Sequence, residues 1–294
     1  MIKEKFYNEV KEKLEREMPE YTVHFSTVTK ENGITYEGVT VRPKSGNETV
    51  APVLYLNKAL EKVNNGENIA EVVEEIANNY INEMSASKYR KFDTESLLSF
   101  EDVKDKIFSK LINTAKNATL LEDRPHINVA DLSKTFHIRI GEDASVPITN
   151  NLATKYGKTA EELDFYAREN AKNTVKFGSM FSFLMGNGFD LDQATISDGE
   201  YPLYVVTNKD QMFGASMITY PEVCQKISDI FGGDYVILPS SIHEVIIIPA
   251  NAMDKEDIYD MVRNVNETCV AQADFLSDNV YYYNSKEKKI NFFK

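Results

Sequence analysis

Apolar residues recur at helical spacing at the start of the chain. Phe6, Val10 and Leu14 step by four, and Pro19 closes the stripe. In YTVHFSTVT, Val23, Phe25 and Thr27 alternate with His24, Ser26 and Val28, the period of a strand. Glu31-Asn32-Gly33 turns the chain into a second strand, ITYEGVTVRP, and VAPVLYLN forms a third. Residues 66–84 return to the helical period, with Ile69, Val72, Val73, Ile76, Tyr80, Ile81 and Met84 on one face. That face suits the apolar side of the strands, which need a cover.

The middle predicts helices. Ser99 stands as an N-cap before EDVKDKIFSKLIN, with Val103, Ile107 and Leu111 as the buried stripe. After Asp123-Arg124-Pro125 comes a short strand, FHIRI. A short helix ends at Gly157, and Thr159-Ala160-Glu161-Glu162 has the form of a capping box. Residues 177–200 show no clean period. They read either as a partner-facing loop or as a buried segment, and Phe181, Phe183, Leu184 and Met185 are costly to leave in water at about 1.5–3 kcal/mol each.

The last third predicts β-β-α-β-β-α. YPLYVVTN and FGASMITY are its first strands, and PEVCQKISDIF is a helix ended by Gly232-Gly233. DYVILP and HEVIIIP flank a turn at Pro239-Ser240-Ser241. Asp254 caps a helix carrying Ile258, Met261, Val262, Val265 and Cys269. The expected class is therefore α+β in three parts. Residues 1–95 form an N-terminal helix and three-stranded antiparallel sheet unit, 96–176 a helical middle, and 177–294 a sheet with helices on one face.

Composition narrows the function more than the fold. The 294 residues carry 33 Lys and Arg against 46 Asp and Glu, a net charge of −13. Direct nucleic-acid binding is not expected, since it takes clustered basic residues, and a basic group such as Lys286, Lys288 and Lys289 is short and interrupted by Glu287. The two cysteines, Cys224 and Cys269, exclude a disulfide framework, and each falls on an apolar helical stripe as a small buried hydrophobe. The charged N-terminus lacks a signal core, and the apolar run Val245–Ile248 falls far short of the ~20 residues a membrane helix needs. A cytoplasmic location and no membrane partner are the expectation. Asn47-Glu48-Thr49 is then a chance match to the glycosylation triplet.

Candidate chemistry is sparse. His24 and His137 lie in expected strands and His126 in a loop. Ser241, His243 and Glu244 are the catalytic candidates. Alternation along a strand puts Ser241 and His243 on one side, but no G-x-S-x-G elbow presents the serine. The same text also reads as a hairpin turn bonded locally. Asp190 and Asp192 form an Asp-x-Asp pair of the kind that holds Mg²⁺, or a solvated loop. Gly186-Asn187-Gly188 lacks the strand and helix of a dinucleotide fingerprint. Neither a metal nor a cofactor is expected. Tyr281-Tyr282-Tyr283 reads as a strand at a sheet edge.

The stretch YVVTNKDQMFGASMITYPEVCQKISDIFGGDYVILPSSIHEVIIIP resembles the proteins grouped as domain of unknown function 5688, common in gut clostridia and related Firmicutes. So do VAPVLYLNKALEKVNNGENIAEVVEEIANNY, DVKDKIFSKLINTAKNATLLEDRPHINVADL and VNETCVAQADFLSDNVYYYN, nearly spanning the chain. ITNNLATKYGKTAEELDFYARENA is also similar to a more distant uncharacterised bacillus family. The resemblance implies a cytoplasmic bacterial protein forming one complete gene product, and it brings no catalytic residue or cofactor. The leading expectation is a non-enzymatic protein that binds another macromolecule, an unidentified protein partner. The alternatives are a hydrolase using Ser241 and His243, and an acidic inhibitor occupying a partner's nucleic-acid-binding groove.

Overall fold

The computed structural model describes residues 2–45, 53–85, 96–141, 144–186, 188–191 and 203–293. The chain is α+β and divides into two units, Met1–Leu97 and Leu98–Lys294.

In the first unit, helix α1 (Ile2–Glu17) buries Phe6, Val10 and Leu14, the stripe that four-residue spacing dictates. Strands β1 (Tyr21–Thr29) and β2 (Thr35–Pro43) pair antiparallel without a break from Tyr21↔Pro43 to Thr29↔Thr35. Their turn puts Asn32 and Gly33 at positive φ, which these two residues accept at low cost. Strand β3 (Leu54–Tyr55) adds to β2, and α2 (Asn57–Asn64) and α3 (Ile69–Ser85) follow. Val39, Val41, Val72, Val73 and Ile76 close the core over the α1 stripe. The Tyr80 hydroxyl accepts the Val41 N–H at 2.8 Å, so this buried polar tip is satisfied.

The second unit begins with a single helical turn, α4 (Phe100–Val103), and then departs from expectation. Residues Ile107–Asn113 form strand β4 rather than a helix. They pair with β6 (Leu132–Arg139) over seven residues, and every side chain but Phe108 is buried. A strand buried on both sides has no polar face, so its apolar spacing mimics a helix stripe. With β5 (His126–Val129) and β7 (Ser145–Pro147) these strands make a four-stranded sheet, so the expected helical middle is corrected to a mixed one. Its helices are α5 (Ala118–Leu121), α6 (Asn150–Tyr156) and α7 (Ala160–Ala171). Gly157 ends α6 in the left-handed conformation, and Thr159 with Glu162 forms the capping box that opens α7.

A seven-stranded antiparallel sheet completes this unit in the order β14-β13-β11-β12-β10-β8-β9. Its strands are β8 (Val175–Ser179), β9 (Phe189–Asp190), β10 (Tyr204–Asn208), β11 (Tyr235–Pro239), β12 (Val245–Pro249), β13 (Tyr281–Asn284) and β14 (Lys289–Phe292). Helix α8 (Met180–Leu184) follows β8 directly. Gly214–Thr219 is a 3-10 helix where a strand was expected, because Phe213 takes φ 58° and Gly214 packs against the backbone of Asn208 and His243.

Helices α9 (Pro221–Phe231) and α10 (Lys255–Thr268) correct the expectation of helices on one face. Val223, Cys224 and Ile227 of α9 pack with Tyr235, Ile237 and Ile247. Ile258 and Val262 of α10 pack with Val236, Leu238 and Ile248. Alternate residues of a strand face opposite ways, so the helices cover both faces. Leu111 and Leu132 of the smaller sheet join the same core as α9.

Tyr281 and Tyr283 are buried and Tyr282 half-buried. Their strand lies one place in from the edge, with β14 outside it. Cys224 is buried, and its thiol donates to the Ile218 carbonyl at 2.9 Å. Cys269 is exposed, contrary to expectation, because α10 ends beside it at Thr268.

Candidate functional site

Ser240 to Glu244 link β11 to β12, and their polar groups turn the chain. The hydroxyls of Ser240 and Ser241 both donate to Glu244 Oε1, at 3.1 and 2.7 Å. The Ser241 oxygen accepts the His243 N–H at 3.0 Å, and the Ser241 N–H reaches the Glu244 carbonyl at 3.2 Å. These bonds satisfy the turn locally.

The His243 ring points elsewhere. Its Nδ1 accepts the Phe213 N–H at 3.3 Å, so Nε2 holds the proton in the neutral ring, 3.4 Å from Asp274 Oδ1. Nucleophilic catalysis needs the serine proton to pass to the imidazole. Here that proton is held by Glu244, and no hydrogen bond joins the Ser241 hydroxyl to the His243 ring. The three candidates are neighbours without forming a nucleophile–base pair.

His243 instead ends a stack of rings that the sequence did not reveal. It lies on Phe213 with centroids 5.4 Å apart, and Phe213 lies on Phe108 at 5.9 Å. Arg139 covers Phe108 at 5.4 Å, and the Lys110 ammonium sits 4.2 Å from the Phe213 ring centre. Stacking between residues so far apart in sequence is set by tertiary packing and has no local motif.

The remaining candidates are scattered. His24 is exposed on β1; His137 is buried on β6, 3.2 Å from the Thr135 hydroxyl. His126 lies in β5 rather than a loop, with Nδ1 2.8 Å from the Arg124 carbonyl. Asp190 pairs with Lys176 at 2.8 Å, while Asp192, Asn187 and the triplet at Asn47 lie outside the described residues. Among the described residues no three His, Cys, Asp or Glu side chains gather as metal ligands. Burial pushes the Cys224 thiol up to about 12, so it is protonated and unreactive at neutral pH.

The segment that lacked a period forms the most exposed apolar feature among the described residues. Ser179 caps α8 by accepting the Ser182 N–H at 3.1 Å, and the Ser182 hydroxyl returns a bond to the Ser179 carbonyl. The short helix so fixed puts Phe181 and Leu184 on one face at i and i+3, and Met185 follows as its C-cap. That face is turned to water: the three are 72%, 80% and 63% exposed. Phe183 packs inward over Gly178 and Gly188, and Phe189 at the sheet edge is also exposed.

A cavity of about 430 Å³ opens at the same end of the sheet, between the end of α7, β9 and the first turn of α9. Arg168, Lys172 and Lys226 line it with Glu222 and Asp190. Arg168 already meets Glu222 at 3.5 Å, and Lys172 meets Glu169 at 2.6 Å.

Residues 3–285 match the model of a Family of unknown function (DUF5688). The chain belongs to this family. No curated protein and no solved structure matches it. Membership in DUF5688 therefore brings no residue role, and the chemistry rests on the geometry above. No helix among the described residues is long and apolar enough to cross a membrane.

Proposed function

We propose that the chain is a non-enzymatic bacterial protein of the cytoplasm that works by binding another protein, with α8 as the docking element. The observation that supports this reading is the outward face of Phe181, Leu184 and Met185. Scattered surface apolar residues are ordinary, but three at helical spacing, each mostly in water, make a contiguous patch of the kind that marks interaction sites. The spacing is that of a helix laid into a hydrophobic groove. A partner groove removes this face from water, and burial is worth about 1.5–3 kcal/mol for each side chain of this size. The cytoplasmic placement is supported by two cysteines that form no disulfide.

The test is site-specific photo-crosslinking in the native cells. A photoreactive side chain at position 184 gives one discrete adduct, and the same group at exposed position 5 does not. Phe181→Asp with a crosslinker at 184 removes the adduct while leaving the unfolding free energy within about 0.5 kcal/mol of the parent, because Phe181 is exposed. Equal labelling at 184 and 5, or an adduct that survives Phe181→Asp, overturns the assignment.

A further inference from the structure

Among the described residues, strand β1 pairs with β2 on one side only, and its backbone bonds define which groups face the other side. The Lys30 N–H donates to the Ile34 carbonyl at 2.7 Å, and the Lys44 N–H donates to the Glu20 carbonyl at 2.9 Å. These bonds bracket the β1–β2 ladder, whose hydrogen-bonded pairs are therefore the even-numbered residues of β1: Thr22↔Arg42, His24↔Thr40, Ser26↔Gly38 and Val28↔Tyr36. The complementary set on β2 behaves as it should. The Val41 N–H leaves the ladder for the Tyr80 hydroxyl, and the Glu37 N–H for the Asn57 side chain. On β1, the main-chain groups of Val23, Phe25 and Thr27 point away from β2, and among the described residues no strand pairs with that edge.

Proteins blunt such edges with short strands, charge, proline or bulges. This chain does so elsewhere. Strands β3 and β9 have two residues each, and β14 has four and begins at Lys289. The outer edge of β4 is covered where the Ser216 hydroxyl donates to the Ser109 carbonyl at 3.0 Å. Among the described residues, strand β1 has none of these protections. It runs nine residues in unbroken register, and YTVHFSTVT contains no Asp, Glu, Lys, Arg or Pro.

We propose that β1 pairs antiparallel with β1 of a second copy of this chain, about a two-fold axis at Phe25. The outward groups are odd-numbered and symmetric about that residue, so one register satisfies both copies. Phe25 meets Phe25, Val23 meets Thr27, and Tyr21 meets Thr29. His24 meets Ser26 on the opposite face, so no like charges oppose each other. Phe25 is half-buried and stacks on Tyr7 with centroids 4.8 Å apart and planes 4° from parallel. Pairing brings two such stacks together and joins two three-stranded sheets into one of six. This surface is independent of the α8 face.

Light scattering on the full-length chain is expected to give twice the monomer mass of 33.4 kDa. His24→Glu/Ser26→Glu puts carboxylates opposite each other at both 24–26 pairs and halves the mass. His24→Lys/Ser26→Lys does the same alone, and mixing the two variants restores the dimer. Thr27→Pro removes an outward N–H without adding charge, and it also gives a monomer. Far-UV circular dichroism confirms which variants are folded. A monomeric parent overturns the proposal. So does a folded His24→Glu/Ser26→Glu or Thr27→Pro chain that remains dimeric, since the contact then lies elsewhere.

Discussion

At Gly214 a methyl group would stand 2.3 Å from the Thr207 hydroxyl, 2.6 Å from the Asn208 nitrogen and 2.7 Å from the His243 carbonyl oxygen. Two of those atoms are backbone and cannot rotate aside. The Thr207 hydroxyl also donates to that His243 carbonyl at 2.8 Å, so moving it breaks a bond. Gly214→Ala is expected to cost about 1–3 kcal/mol, the usual range for overpacking, read as a lower urea midpoint with unchanged slope. Asp234 makes a different residue-scale prediction. Its carboxylate accepts the Ser285 hydroxyl at 2.6 Å, the Tyr282 hydroxyl and the Ser285 N–H at 2.8 Å. These donors hold its pKa down to about 2, against 3.8 for a free aspartate. A lowered carboxylate stabilises the fold fully above 3.8, and the contribution fades as pH falls toward 2. The gap in thermal midpoint between the parent and Asp234→Ala is therefore wide at neutral pH and closes in that acid window. A gap independent of pH would mean the carboxylate charge contributes nothing.

Elements that announce themselves locally were legible in the sequence; those defined by distant partners were not. Helix α1, the α7 capping box and the left-handed Gly157 each depend on residues within a few positions. Ile107–Asn113 does not: its strand exists because Leu132–Arg139 lies beside it. Lys134 shows how deep that dependence goes. It sits on β6 with its side chain 4% exposed, and it pairs with Asp164 of α7 at 2.6 Å. Nothing in the text around Lys134 marks it as buried. Desolvation lowers its pKa below 10.5 despite the nearby carboxylate. Removing Asp164 alone strands this cation, so Asp164→Ala is expected to cost about 3 kcal/mol. The deficit shrinks as pH rises toward 10.5, because a lysine with a lowered folded pKa sheds its proton earlier in the native state. Lys134→Met, which removes the more deeply buried charge and keeps the volume, is expected to cost less, because the Asp164 carboxylate it leaves behind is 19% exposed. Equal losses for the two variants at every pH would refute a charge-based link between α7 and the sheet.

Within the larger unit, the two sheets meet through residues that the sequence keeps far apart. This explains why the serine–histidine text was legible as letters and not as geometry. Ser241 and His243 are two positions apart, yet their partners come from Glu244, Phe213 and Asp274, and the last two are fixed by tertiary packing. Asp131 is the strongest case. It lies in the turn between β5 and β6, just after Ala130 at φ 55°. Its Oδ1 accepts the Tyr281 hydroxyl at 2.7 Å, and its Oδ2 accepts Ser277 at 2.8 Å and Asn279 at 3.0 Å. One carboxylate of the four-stranded sheet thus organises the entry to β13 of the seven-stranded sheet. Asp131→Ala leaves the buried Tyr281 hydroxyl without its acceptor, a loss expected at about 3 kcal/mol. Tyr281→Phe removes the stranded donor as well, so Asp131→Ala/Tyr281→Phe should cost less than the two single changes added together, by about 1–2 kcal/mol. If the carboxylate truly couples the sheets, hydrogen exchange in Asp131→Ala speeds up together in β6 and β13. Faster exchange in β6 alone, with additive energies in the cycle, would place Asp131 as a local turn residue and leave the union of the two sheets to apolar packing at Leu111, Leu132 and Leu276.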